Sequence, residues 1–208
     1  MDENRTKKDL LITATAIYII VSSIAIFSAW IRGLASPFYM GYTVSVYVGL
    51  QKWTAAVYFV GIVIDAVILG IILAKTKLNI LTKIAYYVTI VFLVGLAWFP
   101  VQLGRPESLA SRGHNVFSYA FFTGVIVTLG LMLLFSRKTI QRIYAVCGVL
   151  FGTYYILGYI FKPAFFTPLV LFWETMLIYF YIGEYMLMIR SEEQLKSKSD
   201  LVILQYKA

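Results

Sequence analysis

The chain has 208 residues, of which 61% are hydrophobic and only 13% are charged. In soluble domains roughly a quarter of the residues are charged. This composition therefore excludes an ordinary soluble globule and predicts an integral membrane protein. The formal net charge is +8, but the basic residues form short clusters between apolar runs. Because they do not form a patch with interleaved aromatic rings, we expect no binding of nucleic acid.

Six apolar stretches are long enough to cross a hydrocarbon layer of about 30 Å as helices. They cover residues 10–31, 54–74, 84–103, 116–135, 143–161 and 168–189. None shows the alternation of a membrane β-barrel strand, and a helix satisfies its own backbone in lipid. The sequence therefore predicts an all-α, polytopic membrane protein. We expect a bundle of six transmembrane helices in one domain, residues 1–190, and then a charged tail, residues 191–208.

The distribution of lysine and arginine predicts the orientation of this bundle. Thirteen of the 18 basic residues fall on the side of the two termini, and every connection on that side is enriched in them. By the positive-inside rule, both termini are expected in the cytoplasm and the protein in the cell membrane. Four tryptophans fall near helix ends on the opposite, outer side, as interfacial anchors do; they are Trp30, Trp53, Trp98 and Trp173.

Three carboxylates lie inside the predicted spans. Asp65 is near the middle of the second span, Glu174 is near the outer end of the sixth, and Glu184 is near its inner end. Each would cost about 2.5–3.5 kcal/mol at the centre of a bilayer, so each is expected to face protein or water. Asp65 and Glu184 are therefore candidates for proton or ion coupling. The alternative is a structural role in which neighbouring hydroxyl groups satisfy them.

The outer side also carries a candidate ligand site. A polar connection with two arginines leads into His114, near the predicted start of the fourth span. Backbone N–H groups at a helix start suit an anion, and arginine matches carboxylate and phosphate geometry. A long aromatic loop and the outer carboxylate complete the site, which would bind a small anion or a lipid head group. Its candidate residues are Tyr42, Ser45, Arg105, Arg112, His114 and Glu174.

Several kinds of chemistry are not expected. A single histidine does not provide for a bis-histidine haem or a histidine-rich zinc site. The sequence contains no phosphate-cradling glycine loop and no nucleophile elbow around a serine. We therefore expect no metal and no cofactor.

Short motifs on the outer side give a resemblance that covers residues 10–190. They are Thr-Val-Ser-Val-Tyr-Val-Gly at 43–49 with Trp53, Trp-Phe-Pro at 98–100, and His114 with Phe117 and Ala120. The chain resembles the bacterial and archaeal six-helix membrane family catalogued as domain of unknown function 998. The resemblance implies that Ser45, Pro100 and His114 match the family's motif positions. It implies no activity.

The sequence leaves three functional interpretations open. The leading one is binding or transport of a small anion or lipid head group through the outer site. The second is a membrane enzyme acting on a lipid, with His114 as acid/base and Glu174 orienting it; the sequence does not favour an enzyme. The third is an accessory subunit that packs against a partner membrane protein or a second copy of the chain.

Overall fold

The computed structural model describes residues 3–36, 42–101, 108–136, 138–161 and 167–207, with side-chain surroundings in the last segment given for 168–193. All regular structure in these segments is helical, which confirms the predicted all-α fold. A short 3-10 turn, Thr167–Leu169, precedes the last helix. The α-helices are α1 (Glu3–Ile31), α2 (Val44–Gly49), α3 (Lys52–Lys75), α4 (Ile80–Trp98), α5 (Leu109–Phe135), α6 (Thr139–Phe161) and α7 (Val170–Lys207).

Local sequence signals explain where the helices begin and end. The side chains of Thr43, Asn79 and Ser108 cap the starts of α2, α4 and α5 by accepting a backbone N–H three residues later. α4 ends at Trp98, before the predicted 103, because Pro100 disfavours a helical conformation in the residue ahead of it. α7 continues beyond the predicted 189 to Lys207.

Five helices in the described part of the chain are long and apolar enough to cross a membrane: α1, α3, α4, α5 and α6. Their outward faces carry exposed aliphatic side chains, including Ile31, Val91, Leu134 and Leu150, which suit contact with lipid. The chain is therefore a multi-pass helical membrane protein. The sixth predicted span is the first part of α7, whose two glutamates make it less apolar. The six-span count and the cytoplasmic termini stay predictions.

The long helices form a closed ring in chain order. α1 packs on α3, α3 on α4, α4 on α5, α5 on α6 and α6 on α7, and α7 returns to α1. α5 and α7 also touch each other directly, so α6 packs on the outer side of this pair of helices. We call the end at which α1, α4 and α6 finish the α2 end, and the opposite end the terminal end. In the predicted orientation these are the outer and the cytoplasmic ends.

Ion pairs and close backbone approach hold the last helices in place. At the terminal end, Lys7 pairs with Glu192 at 2.7 Å and Lys8 with Glu193 at 2.6 Å, which joins α1 to α7. In α6, a Cβ added at Gly148 would come within 2.7 Å of the Leu129 side chain of α5. The Leu129 side chain would have to shift to admit it, and Gly152 lies equally close to Ile126 of α5, so Gly148 and Gly152 form a small-residue face of α6 that packs on α5 within the chain.

Candidate functional site

The α2 end is closed by the short helix α2. The Glu174 carboxylate of α7 accepts the Val44 N–H, the first of α2, at 2.8 Å. The Tyr47 hydroxyl donates to the Ser36 carbonyl at 2.7 Å, and Thr54 of α3 donates to the Val48 carbonyl at 2.9 Å. Glu174 therefore acts as a long-range cap that joins the last helix to the first connection of the bundle.

Two residues of the sequence-predicted ligand site meet beside α2. Ser45 and Glu174 line the same small cavity, together with Tyr58, and its volume is about 10 Å³. That is close to the smallest space that holds one water molecule. Tyr42 is partly buried and packs edge-on against Tyr47, with ring centroids 5.7 Å apart. The described α2 end is thus tightly packed around Glu174.

The remaining members of that predicted site have other surroundings. The buried His114 lies with Nδ1 2.7 Å from the Phe99 carbonyl oxygen. Because a carbonyl only accepts, Nδ1 carries the proton, and His114 joins the start of α5 to the end of α4. Arg112 is exposed, and Arg105 lies outside the described residues. In the described part of the chain, the two members of the candidate acid/base pair bond to different groups: His114 to the Phe99 carbonyl and Glu174 to the Val44 N–H.

Asp65 lies in the middle of the bundle. It is 4% exposed, and its Oδ1 has no hydrogen-bond partner among the described residues. It lines a cavity of about 40 Å³ inside the ring, which is large enough for a water molecule. Tyr18 lines the same cavity, and its hydroxyl likewise has no partner in the described part of the chain. A buried polar group without a partner costs about 1–3 kcal/mol, so packing alone does not account for this arrangement.

Glu184 has very different surroundings. It is 0% exposed, one carboxylate oxygen accepts the Tyr86 hydroxyl of α4, and the other accepts Thr128 Oγ1 of α5 at 3.2 Å. The rings of Tyr181 and Tyr185 pack against Tyr86 at centroid distances of 6.3 and 5.3 Å. The residue therefore ties α7 to α4 and α5 through bonds at both oxygens.

Tyrosines connect the three carboxylates along the inside of the ring. The Tyr58 hydroxyl interacts electrostatically with both Glu174 and Asp65. Tyr181 lines the Asp65 cavity and stacks on Tyr86, which binds Glu184. Glu174 and Glu184 are ten positions apart in α7, or about 15 Å along its axis. Tyr58 and Tyr181 therefore lie near these acids inside an otherwise apolar bundle.

A larger cavity, which no sequence pattern predicts, opens at the terminal end. Its volume is about 290 Å³, and Thr82 and Tyr86 of α4 lie on its wall beside the ends of α3 and α5 and the middle of α7. Tyr86 thus contacts this cavity and also binds Glu184. The only sequence feature that marks this cavity is a set of polar residues around the start of α4. Such residues are also typical of an ordinary connection between helices.

In the described residues, no group of three or more histidine, cysteine, aspartate or glutamate side chains is placed to hold a metal ion. Comparisons with protein-family models, curated proteins and solved structures find no match. The resemblance to the six-helix family of unknown function therefore stays a prediction.

Proposed function

We propose that this chain is a transport-type membrane protein that moves a small anion or a lipid head group and exchanges protons at buried carboxylates. The observation that carries the proposal is Asp65. It is buried in mid-helix, one oxygen has no partner in the described chain, and it lines an internal cavity. Intramembrane acids kept in this state are typical of proton and ion pathways.

The absence of neutralising cations supports proton exchange. Asp65, Glu174 and Glu184 form no ion pair with lysine or arginine in the described part of the chain. A buried carboxylate without a cation is too costly to keep charged, and binding a proton removes that charge. Tyrosine hydroxyls, which both donate and accept, lie between the three acids.

The shape of the interior supports directed access. Separate cavities of about 290 Å³ at the terminal end, about 40 Å³ at Asp65 and about 10 Å³ beside Glu174 lie at successive levels of the bundle. A large cavity at one end and close packing at the other suit a transporter that is open at one end and closed at the other. In this arrangement α2 is the closed end, and Tyr42, Ser45 and Glu174 would receive the solute when α2 moves. Arg105, Arg112 and His114 would attract its negative charge.

The proposal includes six membrane spans, with the first part of α7 as the sixth and both termini in the cytoplasm. The bias of basic residues supports this orientation. Reporter fusions after Ala208 and within the connection between α1 and α3 test it. The C-terminal fusion should report the cytoplasm and the other the outside. The reverse pattern, or the same compartment for both, would contradict it.

Proton flux into liposomes is the decisive experiment. The purified chain is reconstituted with a pH-sensitive dye inside, and a potassium diffusion potential is applied with and without external inorganic phosphate or n-hexyl phosphate. We expect Asp65→Asn to reduce the flux at least about tenfold, because the amide takes up no proton. Asp9→Asn, the matched change at an exposed carboxylate of α1, should leave it unchanged.

Two results would contradict the proposal. One is wild-type flux no greater than that of protein-free liposomes under every solute condition. The other is equal flux in the wild type and Asp65→Asn. The other interpretations have less support from the described contacts. His114 and Glu174 have separate partners, which disfavours the enzyme. Gly148 and Gly152 of α6 pack on α5, so these small residues are not available to a partner protein.

A further inference from the structure

The terminal-end cavity combines an apolar interior with a polar rim. Leu131 and Met132 of α5 and Met188 of α7 give it apolar walls, and the exposed Phe135 lines it at the end of α5. Its volume of about 290 Å³ corresponds to roughly ten water molecules at about 30 Å³ each. That space fits a molecule of about ten heavy atoms, near the lower limit of ordinary ligand pockets.

The rim favours a negative charge. Two helices begin there, α4 after its cap Asn79 and α6 after Lys138, and neither has an acidic residue in its first turn. The N-terminal ends of helices carry partial positive charge. Lys77 also lines the rim and makes no ion pair within the described residues. Glu192 is the acidic residue on the rim; one of its carboxylate oxygens pairs with Lys7 at 2.7 Å and the other accepts the Lys77 backbone N–H, so both oxygens have partners and the Lys77 ammonium is left for a ligand.

Thr82 provides an independent sign of a ligand. It lies in the first turn of α4, is only 6% exposed and lines the cavity. Its Oγ1 has no hydrogen-bond partner in the described part of the chain. Buried hydroxyl groups are ordinarily bonded, so a donor that faces a cavity beside two positive helix ends is suited to an anion.

We propose that the terminal-end cavity binds an amphiphile: a phosphate or carboxylate group attached to a short apolar chain. The acidic group lies at the starts of α4 and α6, with Thr82 donating a hydrogen bond and Lys77 adding charge. The apolar chain lies against Leu131 and Met132. The site deepens the transport function proposed above by naming the chemical class of its cargo and the end at which that cargo enters.

Tyr86 connects this site to the buried acids. Its side chain lines the cavity, and its hydroxyl donates a hydrogen bond to the Glu184 carboxylate. An apolar chain that reaches the floor of the cavity would contact the Tyr86 ring. Cargo and Glu184 therefore compete for the position of one side chain, which gives the bundle a physical means of coupling occupancy to protonation.

Calorimetric titration of the full chain in nanodiscs of zwitterionic lipid tests the site. The probes are n-hexyl phosphate, inorganic phosphate and hexyltrimethylammonium. We expect n-hexyl phosphate to bind, the cation not to bind, and Thr82→Val or Lys77→Gln to weaken binding by about tenfold, since a bond to a charged group is lost. Leu131→Trp, which fills the cavity, should abolish it.

Matched controls separate binding from folding. Thr89→Val changes another threonine of α4, whose hydroxyl bonds to the Ala85 carbonyl and does not line this cavity, so affinity should be unchanged. Thr82→Val should keep the thermal midpoint of the wild type, because the hydroxyl has no partner to lose. Absent binding of n-hexyl phosphate, tighter binding of the cation, or equal affinity in Thr82→Val and wild type would each overturn the proposal.

Two further titrations identify the source of the acidic group and test this site separately from proton exchange. Competition by inorganic phosphate indicates a free anion, whereas competition by nanodiscs containing phosphatidic acid indicates a lipid head group; either supports the site. Asp65→Asn should bind n-hexyl phosphate with wild-type affinity. Binding in that variant without proton flux in the wild type would retain the site and reject proton exchange.

Discussion

Asp65 and Glu184 are both acids buried inside one ring of helices, yet their surroundings are opposite. Glu184 has a hydrogen bond at each oxygen, from Tyr86 and Thr128, and aromatic rings fill the space around it. Asp65 has an unpartnered oxygen and a cavity beside it. A satisfied buried acid holds helices together, whereas an unsatisfied one keeps a cost that only function explains. The difference can be measured as the change in the free energy of unfolding when each residue is substituted.

The largest effect should come from Glu184→Ala. The change removes two hydrogen bonds, leaves two hydroxyl groups buried and opens a void, so we expect a loss of about 2–4 kcal/mol in the free energy of unfolding. Unfolding in mixed micelles of increasing dodecyl sulfate measures it. Glu184→Gln, which keeps an acceptor for Tyr86, should lose less. Equal stability of Glu184→Ala and wild type would end the contrast with Asp65.

Asp65→Leu is expected to stabilise the protein, whereas Glu184→Ala destabilises it. Leucine removes the unpartnered carboxylate and fills part of an apolar cavity, so the free energy of unfolding should rise by about 1–3 kcal/mol. The same micelle titration applies, with Ile64→Leu as the lipid-facing control in α3. A loss of stability in Asp65→Leu would show that Asp65 has a structural partner.

A smaller loss is expected for Tyr86→Phe. One hydrogen bond to Glu184 is removed while the ring stays, so the cost should be about 0.5–1.5 kcal/mol. Tyr87→Phe, at the neighbouring exposed position, is the matched control and should change little. If the Tyr86→Phe loss persists unchanged in a Glu184→Ala background, which lacks the acceptor, the two residues do not interact, and the proposed coupling through Tyr86 fails.

The smallest effect on stability should come from Tyr18→Phe. Its hydroxyl has no partner within the described chain to lose, and the cavity that Tyr18 lines has room for a water molecule to hydrate it. Removing the hydroxyl should therefore change the free energy of unfolding by less than about 0.5 kcal/mol. Proton flux should nevertheless fall, because this hydroxyl faces the Asp65 cavity. Unchanged flux in Tyr18→Phe would remove this tyrosine from the pathway without affecting the role of Asp65.

The architecture was predictable from the sequence where the signal is local. Membrane character and the all-α fold follow from apolar length and backbone satisfaction, and both are confirmed. The short helix α2 was not predicted, because its start depends on Glu174, which lies 130 positions away from Val44. Such a bond leaves no periodicity in the sequence, and only the Thr43 cap marks the helix.

The positions of the interior polar residues could be predicted from the sequence, but the surroundings of their side chains could not. Asp65, Glu174 and Glu184 stand out in any apolar run, since charge inside a membrane is rare. Whether each is satisfied depends on side chains from other helices, such as Tyr86 and Thr128 for Glu184. The terminal-end cavity was missed for the same reason: its lining comes from four helices and the connections between them, and its residues look ordinary one at a time.

The closure of the ring by α7 has a consequence for biogenesis. Every described hydrogen-bond partner of Glu174 and Glu184, namely Val44, Tyr86 and Thr128, is synthesised before α7. The last helix thus enters a bilayer in which hydrogen-bond donors for its two acids are already present, and it docks against the first helix through Lys7. A ribosome-bound chain stopped before Val170 would expose an unclosed seam between α1 and α6, the surface that quality-control proteases would recognise.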